Sequence, residues 1–361
     1  MKTKWTGLII LVLIIGGALG YRYFSGKPER IEIKGYVGGE KMALLENPEV
    51  RSILEKRYGV AVDYTKAGSI EMVRELVDDS IDFLWPSSQV ALELFKMTHR
   101  HRLVKDEVIL NSPIVLYSWD LVTQALIDRG NIREEKSALF MPGFPEFIQD
   151  IMDGATWKDY GVEELYGRIR VISTDPSKSN SGNMFSGLIA NILSGGVVDE
   201  AGIDTLLPRI TDFFNRLGYM EHSSSDLFEQ YLRTGVGAKP IIAGYESQII
   251  EFSIQYRDLW PELKNRMRII YPVPTVWSAH PLIILKERGK RLIEALKDPD
   301  IQRIAWETHG FRTGLMGIQN DPARLKVVGI PERITKVIPM PSPRVMEKII
   351  KAIRGPNGGN Q

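Results

Sequence analysis

The pattern that most restricts this chain is a repeated unit: a short alternating apolar run, a turn of small or polar residues, and an amphipathic helix. "RIEIKGYVG" alternates apolar with other residues and runs into Gly38, Gly39, Glu40 and Lys41. In "PEVRSILEKRYG" the apolar Val50, Ile53 and Leu54 share one helical face, and Gly59 is the expected stop. "VAVDYTKAG" is a second strand, after which Ser69 can cap the helix "IEMVRELVDD" with its stripe of Ile70, Val73, Leu76 and Val77. "IDFLWPSS" is a third strand, closed by Pro86. Strands that alternate with helices in this way predict an α/β fold with mainly parallel strands.

Further along, the strand-like "RIRVI" leads through "STDPSKSNSG" (173–182) into a helix predicted over 182–194. Its Met184, Phe185, Leu188, Ile189, Ile192 and Leu193 form one stripe ahead of Gly195 and Gly196. The first N–H groups of a helix lack intrahelical partners and the dipole is positive there, so an anion or carbonyl oxygen is favoured. Ser179 and Ser181 offer hydroxyls, Gly182 allows close approach to the backbone, and Lys178 offers charge; the plainer reading is a serine cap. Small or polar turns also follow the first three strands, at 38–41, 67–69 and 86–89. Ligands of open α/β sheets bind at the carboxyl ends of strands, so these turns predict one shared cleft.

Composition removes several function classes. The 361 residues carry 46 Lys+Arg against 45 Asp+Glu, which provides no general field for nucleic acid. The absence of cysteine excludes disulfides, thiolate metal sites, thiol catalysis and a lipid-modified N-terminal cysteine. G-x-S-x-G, H-E-x-x-H and P-loop patterns are missing, the five histidines form no metal-ligand pattern beyond His99 and His101, and neither enzyme activity nor a cofactor is expected. After "MKTK", residues 5–24 form a run without a charge until Arg22, long enough to span a bilayer. Lys2 and Lys4 would keep the start of the chain cytoplasmic and place the rest on the extracytoplasmic face. Cleavage near Gly20 as a signal peptide, giving a secreted or periplasmic protein, is the alternative.

The order of motifs resembles that of type II periplasmic or extracellular solute-binding proteins of ABC importers, in their phosphate- and molybdate-binding branch. "GVAVDYTKAGSIEMVRELVDDSIDFLWPSS", "DPSKSNSGNMFSGLIANIL" and "LIEALKDPDIQRIAWETHGFRTG" carry the resemblance, which covers nearly everything after residue 30. "DDSIDF" lacks the glycine common before the Asp, and no complete phosphate, sulfate or molybdate residue set can be matched. The resemblance implies an α/β two-lobed fold with two hinge crossings, at 111–120 and 269–285, preceded by one N-terminal hydrophobic helix. Residues 1–27 would be the anchor or signal segment, 28–115 and 278–350 lobe one, 116–277 lobe two, and 351–361 a flexible tail.

By matching positions, the ligand candidates in lobe one are Gly39, Glu40, Lys41, Ser69, Ser87 and Ser88, with Ser112 near the hinge. Lobe two would contribute Ser179, Ser181, Gly182 and Asn183, then Tyr245, Glu246 and Ser247. Each has a structural alternative: Ser69 as a cap, Tyr245 as core, Glu40 with Lys41 as a solvated pair. The expected protein is a monomer that captures a small oxyanion or carboxylate-bearing solute and delivers it to an ABC permease in the membrane. Two other readings stay open. Asp175, Ser177 and Ser179 satisfy the D-x-S-x-S that begins the divalent-cation adhesion site of von Willebrand A-type domains, and a receptor for a membrane signalling partner would look identical in sequence.

Overall fold

A computed structural model describes residues 28–355. Strands β1 (Ile31–Val37), β2 (Val60–Lys66) and β3 (Phe83–Trp85) lie parallel with β1 in the middle, each followed by a turn and a helix. The helix Pro48–Tyr58 ends as its sequence predicts, on Gly59 with φ +65°, a left-handed conformation that a Cβ would disfavour. The predicted helix after Ser69 is shorter, Ser69–Arg74, and its N-cap is Gly68.

The long strand β4 (Lys105–Trp119) organises the rest. Up to Pro113 it pairs antiparallel with β9 (Trp277–Ile284) and, at its middle, with the short β10 (Arg312–Thr313). From Ile114 it changes partners, to β7 (Ile241–Tyr245) on one side and β8 (Met267–Pro272) on the other. A hairpin of β5 (Arg133–Glu135) and β6 (Ala138–Met141) extends the far edge, where β6 runs parallel to β8. The ten strands form one mixed sheet in the order β2-β1-β3-β9-β4-β8-β6-β5, with β7 and β10 also on β4. The expectation of mainly parallel strands is therefore corrected, because β9 returns against β4 and imposes antiparallel pairing along the middle of the molecule. "RIRVI" also forms less strand than expected: only Ile172 bridges β7, through Ile172 N–H to Ile241 O (3.0 Å) and Ala243 N–H to Ile172 O (2.9 Å).

Each half of the sheet is covered on both faces. Val37, Phe83, Trp85 and Leu282 pack with Leu292 and Ile301 on one side of the first half, while Leu84, Ile283, Met72 and Phe95 pack on the other. In the second half, Leu116 and Ile270 meet Phe147, Phe185 and Phe213, and Tyr117 and Ile269 meet Tyr231 and Trp306 across the sheet. After β10 the chain leaves the first half. Helix Pro343–Arg354 buries Val345, Met346 and Ile349 among the same apolar residues as Phe185 and Phe213. The sequence expectation put all of 278–350 in lobe one; the apolar stripe of this last helix instead takes it across to the second half.

Among the described residues no helix is long and apolar enough to cross a membrane. The proposed spanning or cleaved segment, residues 5–24, and the tail from 356 lie outside the described residues.

Candidate functional site

Between the halves lies a cleft of about 700 Å³. One wall comes from the turns after β1 and β2, with Gly39, Glu40, Lys66 and Ser69; the other comes from Lys178, Ser179, Asn180 and Asn183, with His222 and Tyr245 beside them. Two fifteen-residue helices start at this cleft. Asn180–Ser194 begins after Ser179, whose side chain does not cap it, and Ser224–Ala238 begins after Ser223, whose Oγ accepts from Ser225 N–H (3.2 Å) and Asp226 N–H (3.4 Å). The short helix Ser69–Arg74 opens onto the same space. Positive dipole ends thus face one solvent-filled gap, with the first amides of Asn180–Ser194 uncapped by a side chain and those of Ser225 and Asp226 taken by Ser223.

Behind the first wall is a buried charged cluster. Lys41 is fully buried, and its Nζ contacts Glu40 Oε1, donates to Ser87 Oγ (2.8 Å) and lies 3.2 Å from His280 Nδ1. Ser87 Oγ donates to the same Glu40 oxygen. Burial alone would raise the Glu40 carboxyl, but the Lys41 charge and His280 hold it well below the usual carboxylate range. Burial also lowers the Lys41 ammonium, against the opposing pull of Glu40. His280 is pushed down to about 4, first by burial and then by the Lys41 charge, so its ring is neutral near pH 7. Glu40 remains partly exposed to the cleft, and among the described residues its Oε2 is offered no donor.

The two walls touch through Asn180. Its Nδ2 donates to Ser87 O (2.8 Å) and to Tyr245 OH (3.0 Å), and Ser278 Oγ donates to that same Ser87 carbonyl (2.7 Å). Burial, followed by the Glu40 charge, raises the Tyr245 phenol and keeps it protonated.

Of the sequence candidates, Gly39, Glu40, Ser69, Ser179, Asn183 and Tyr245 line the cleft. Lys41 and Ser87 lie directly behind it. Several candidates have their side chains engaged within the protein. Ser88 Oγ accepts from Val90 N–H (3.2 Å) and caps the helix Gln89–Thr98, while Ser69 Oγ accepts from Ser87 N–H (3.0 Å) and so braces the turn after β3. Ser181 Oγ is shared between Thr174 Oγ1 (2.9 Å) and Ser179 Oγ (3.1 Å). Gly182 faces protein: a Cβ there would stand 2.3 Å from Thr174 O, so the glycine serves the packing of its helix on the segment after Ile172 and not solute approach. Ser112 Oγ accepts from Ser247 N–H (3.3 Å) at the crossing. Glu246 is fully buried, and both oxygens are taken, by Arg312 Nε (2.6 Å) and Nη2 (2.9 Å) and by Tyr271 OH (2.6 Å). That leaves it no oxygen for a solute.

The cation reading fares differently. Asp175 Oδ1 accepts from the N–H (2.8 Å) and Oγ (2.7 Å) of Ser177, which makes D-x-S-x-S a local turn before the helix. Among the described residues no group of three or more His, Asp or Glu could hold a metal ion.

Sequence reasoning missed three residues: Asn180, Ser278 and His280. Asn180 lay inside the loop already singled out, and the polar positions of "WSAHP" sit within the extended run proposed as the return hinge, 269–285.

The architecture can be placed among solved structures. Iron-bound HitA from Pseudomonas aeruginosa superposes with a TM-score of 0.57 at 12% identity, over 91% of this chain and 100% of that one. An ABC transporter substrate-binding protein from Bradyrhizobium japonicum gives 0.56 at 10% identity, over 89% and 98%. The chain has the fold of periplasmic substrate-binding proteins. The substrate-binding protein of the ABC transporter from Agrobacterium tumefaciens shares this periplasmic-binding fold as well, with a TM-score of 0.53 at 15% identity over 91% and 96%. No family model matches the chain, and no curated protein matches it by sequence. The periplasmic-binding fold is thus reached with almost no shared sequence.

Proposed function

We propose that this protein is an extracytoplasmic solute-binding protein that captures a small anionic solute between its halves and presents it to an ABC-type importer. The observation that carries this reading is the convergence of two long helix N-termini and the Glu40 turn on one cleft, spanned by the hydrogen bonds of Asn180. Amide donors and Lys178 suit an anionic group on the second wall. Glu40 Oε2 on the first wall asks for a donor, so the solute carries a hydroxyl or amine as well as its acid, and a 2-hydroxy acid fits better than a bare oxyanion. Closure of the two halves on the solute provides the state an importer recognises, and no covalent step is needed. HitA is an iron-bound protein; among the described residues of this chain no group of three or more acidic or histidine side chains could hold a metal ion, and an organic acid is therefore proposed ahead of a metal ion.

The test is a thermal-shift and tryptophan-emission screen of the full chain with lactate, malate, phosphate, sulfate, molybdate and divalent cations. A ligand selective for the folded state stabilises it by about 2.7 kcal/mol at one hundred times its Kd. A shift with an acid, weakened in Asn180→Ala, supports the reading. A shift with divalent cations alone, or with nothing in the set, refutes it.

A further inference from the structure

A second cavity, of about 500 Å³, opens beside the cleft, between the first half of the molecule and helix Pro343–Arg354. The two spaces meet across a sill of Ile70, Pro176, Ser177 and Asn183, residues that line both. Beyond the sill Val90 and Leu94 from helix Gln89–Thr98 face Met346 and Ile350 from the last helix, and Arg74, Glu347, Lys351 and Arg354 complete the lining with charged side chains. Arg74 and Glu347 form an ion pair across the outer end, joining the first half to this helix.

Size and lining together constrain the guest. Cavities of 300–1,000 Å³ are the usual room for an organic ligand of many atoms, and an inorganic oxyanion at the helix mouths would leave most of the cleft to water. Water against Val90, Leu94, Met346 and Ile350 would find few hydrogen bonds, whereas a hydrocarbon there gains for every methylene buried.

We infer that the solute is an acid with an apolar tail, its polar head in the cleft and its tail over the sill in the second cavity. This rests on the cleft being the solute site. The last helix then acts as a specificity wall, and it belongs to the part of the chain that packs on the second half while its free face looks toward the first.

Calorimetric titration of the full chain with a series of 2-hydroxy acids, from lactate through 2-hydroxybutanoate and 2-hydroxyhexanoate to 2-hydroxyoctanoate, tests the inference. Affinity is expected to rise about fourfold per methylene. Ile350 is only half buried, so Ile350→Trp fills the cavity without disturbing the core. It is expected to flatten the series while leaving lactate affinity unchanged, which also reports that the variant is folded. A flat series in the natural chain, with lactate or phosphate still bound, overturns the tail inference and leaves the cleft reading standing. A rising series that Ile350→Trp does not flatten also overturns it, because the tail would then lie elsewhere. No binding by any of these acids overturns both.

Discussion

His280 makes the stability of this protein depend on pH in a defined window. The side chain is 1% exposed, its Nδ1 lies 3.2 Å from Lys41 Nζ and 3.5 Å from Glu40 Oε1, and its Nε2 has no partner among the described residues. Burial, and then the Lys41 charge, hold the ring at about 4 against an ordinary 6.5. Between those values the unfolded chain binds a proton that the native chain does not, so stability rises with pH there and falls on acidification. The gap from 6.5 to about 4, at about 1.4 kcal/mol per pH unit, is worth about 3 kcal/mol by pH 4. Glu40 is also shifted down, and its contribution is lost only as pH drops below its ordinary 4.5, beneath most of this window.

Urea denaturation at pH 7.5, 6.5, 5.5 and 4.5 reads the effect against His280→Gln, which lacks the titration. The natural chain should lose about 2–3 kcal/mol more than the variant over that range. Lys41→Met should shrink the loss without abolishing it, because burial still disfavours the charged ring. Parallel pH profiles for the natural chain and His280→Gln, or a natural chain that gains stability on acidification, would refute the placement of this buried cation beside the ring.

Three further outcomes follow from the geometry. Arg312→Met leaves the Glu246 carboxylate buried with only Tyr271, and should cost about 3–5 kcal/mol in chemical denaturation; Arg312→Met with Glu246→Met should cost less, and a single-variant cost below about 1 kcal/mol would show that the pair is not buried as described. Gly182→Ala drives a Cβ to 2.3 Å from Thr174 O and should cost about 1–3 kcal/mol in thermal unfolding, whereas an unchanged melting temperature would mean that this helix is set further from Thr174. Asn180→Ala removes the tie to Ser87 O and should weaken acid binding roughly three- to tenfold, the value of one or two hydrogen bonds; unchanged affinity would count against Asn180 as a closing contact.

Helix and strand positions near the start of the chain were legible because their signals are local. Gly59 ends its helix where the sequence predicts, since the left-handed turn it adopts is a property of the residue itself. The loop at 173–183 was recognisable for the same reason, and Ser179 and Asn183 do line the cleft. Glu246 misled because proximity to a cleft in sequence says nothing of direction: only the register of β10 on β4 brings Arg312 within 2.6 Å of it.

The sequence alone determined the alternation of strand and helix, the small polar turns at strand ends, and the exclusion of thiol chemistry, all of which depend on residue type and near-neighbour spacing. Tertiary structure decided the rest: that β4 exchanges partners at Ile114, that Lys41, Ser87 and His280 meet, and that the last helix crosses to wall a second cavity. Lys41 and His280 are 239 positions apart in the chain. Their meeting arises from the pairing of distant strands and the burial of an apolar helix face, which no local stretch of sequence encodes.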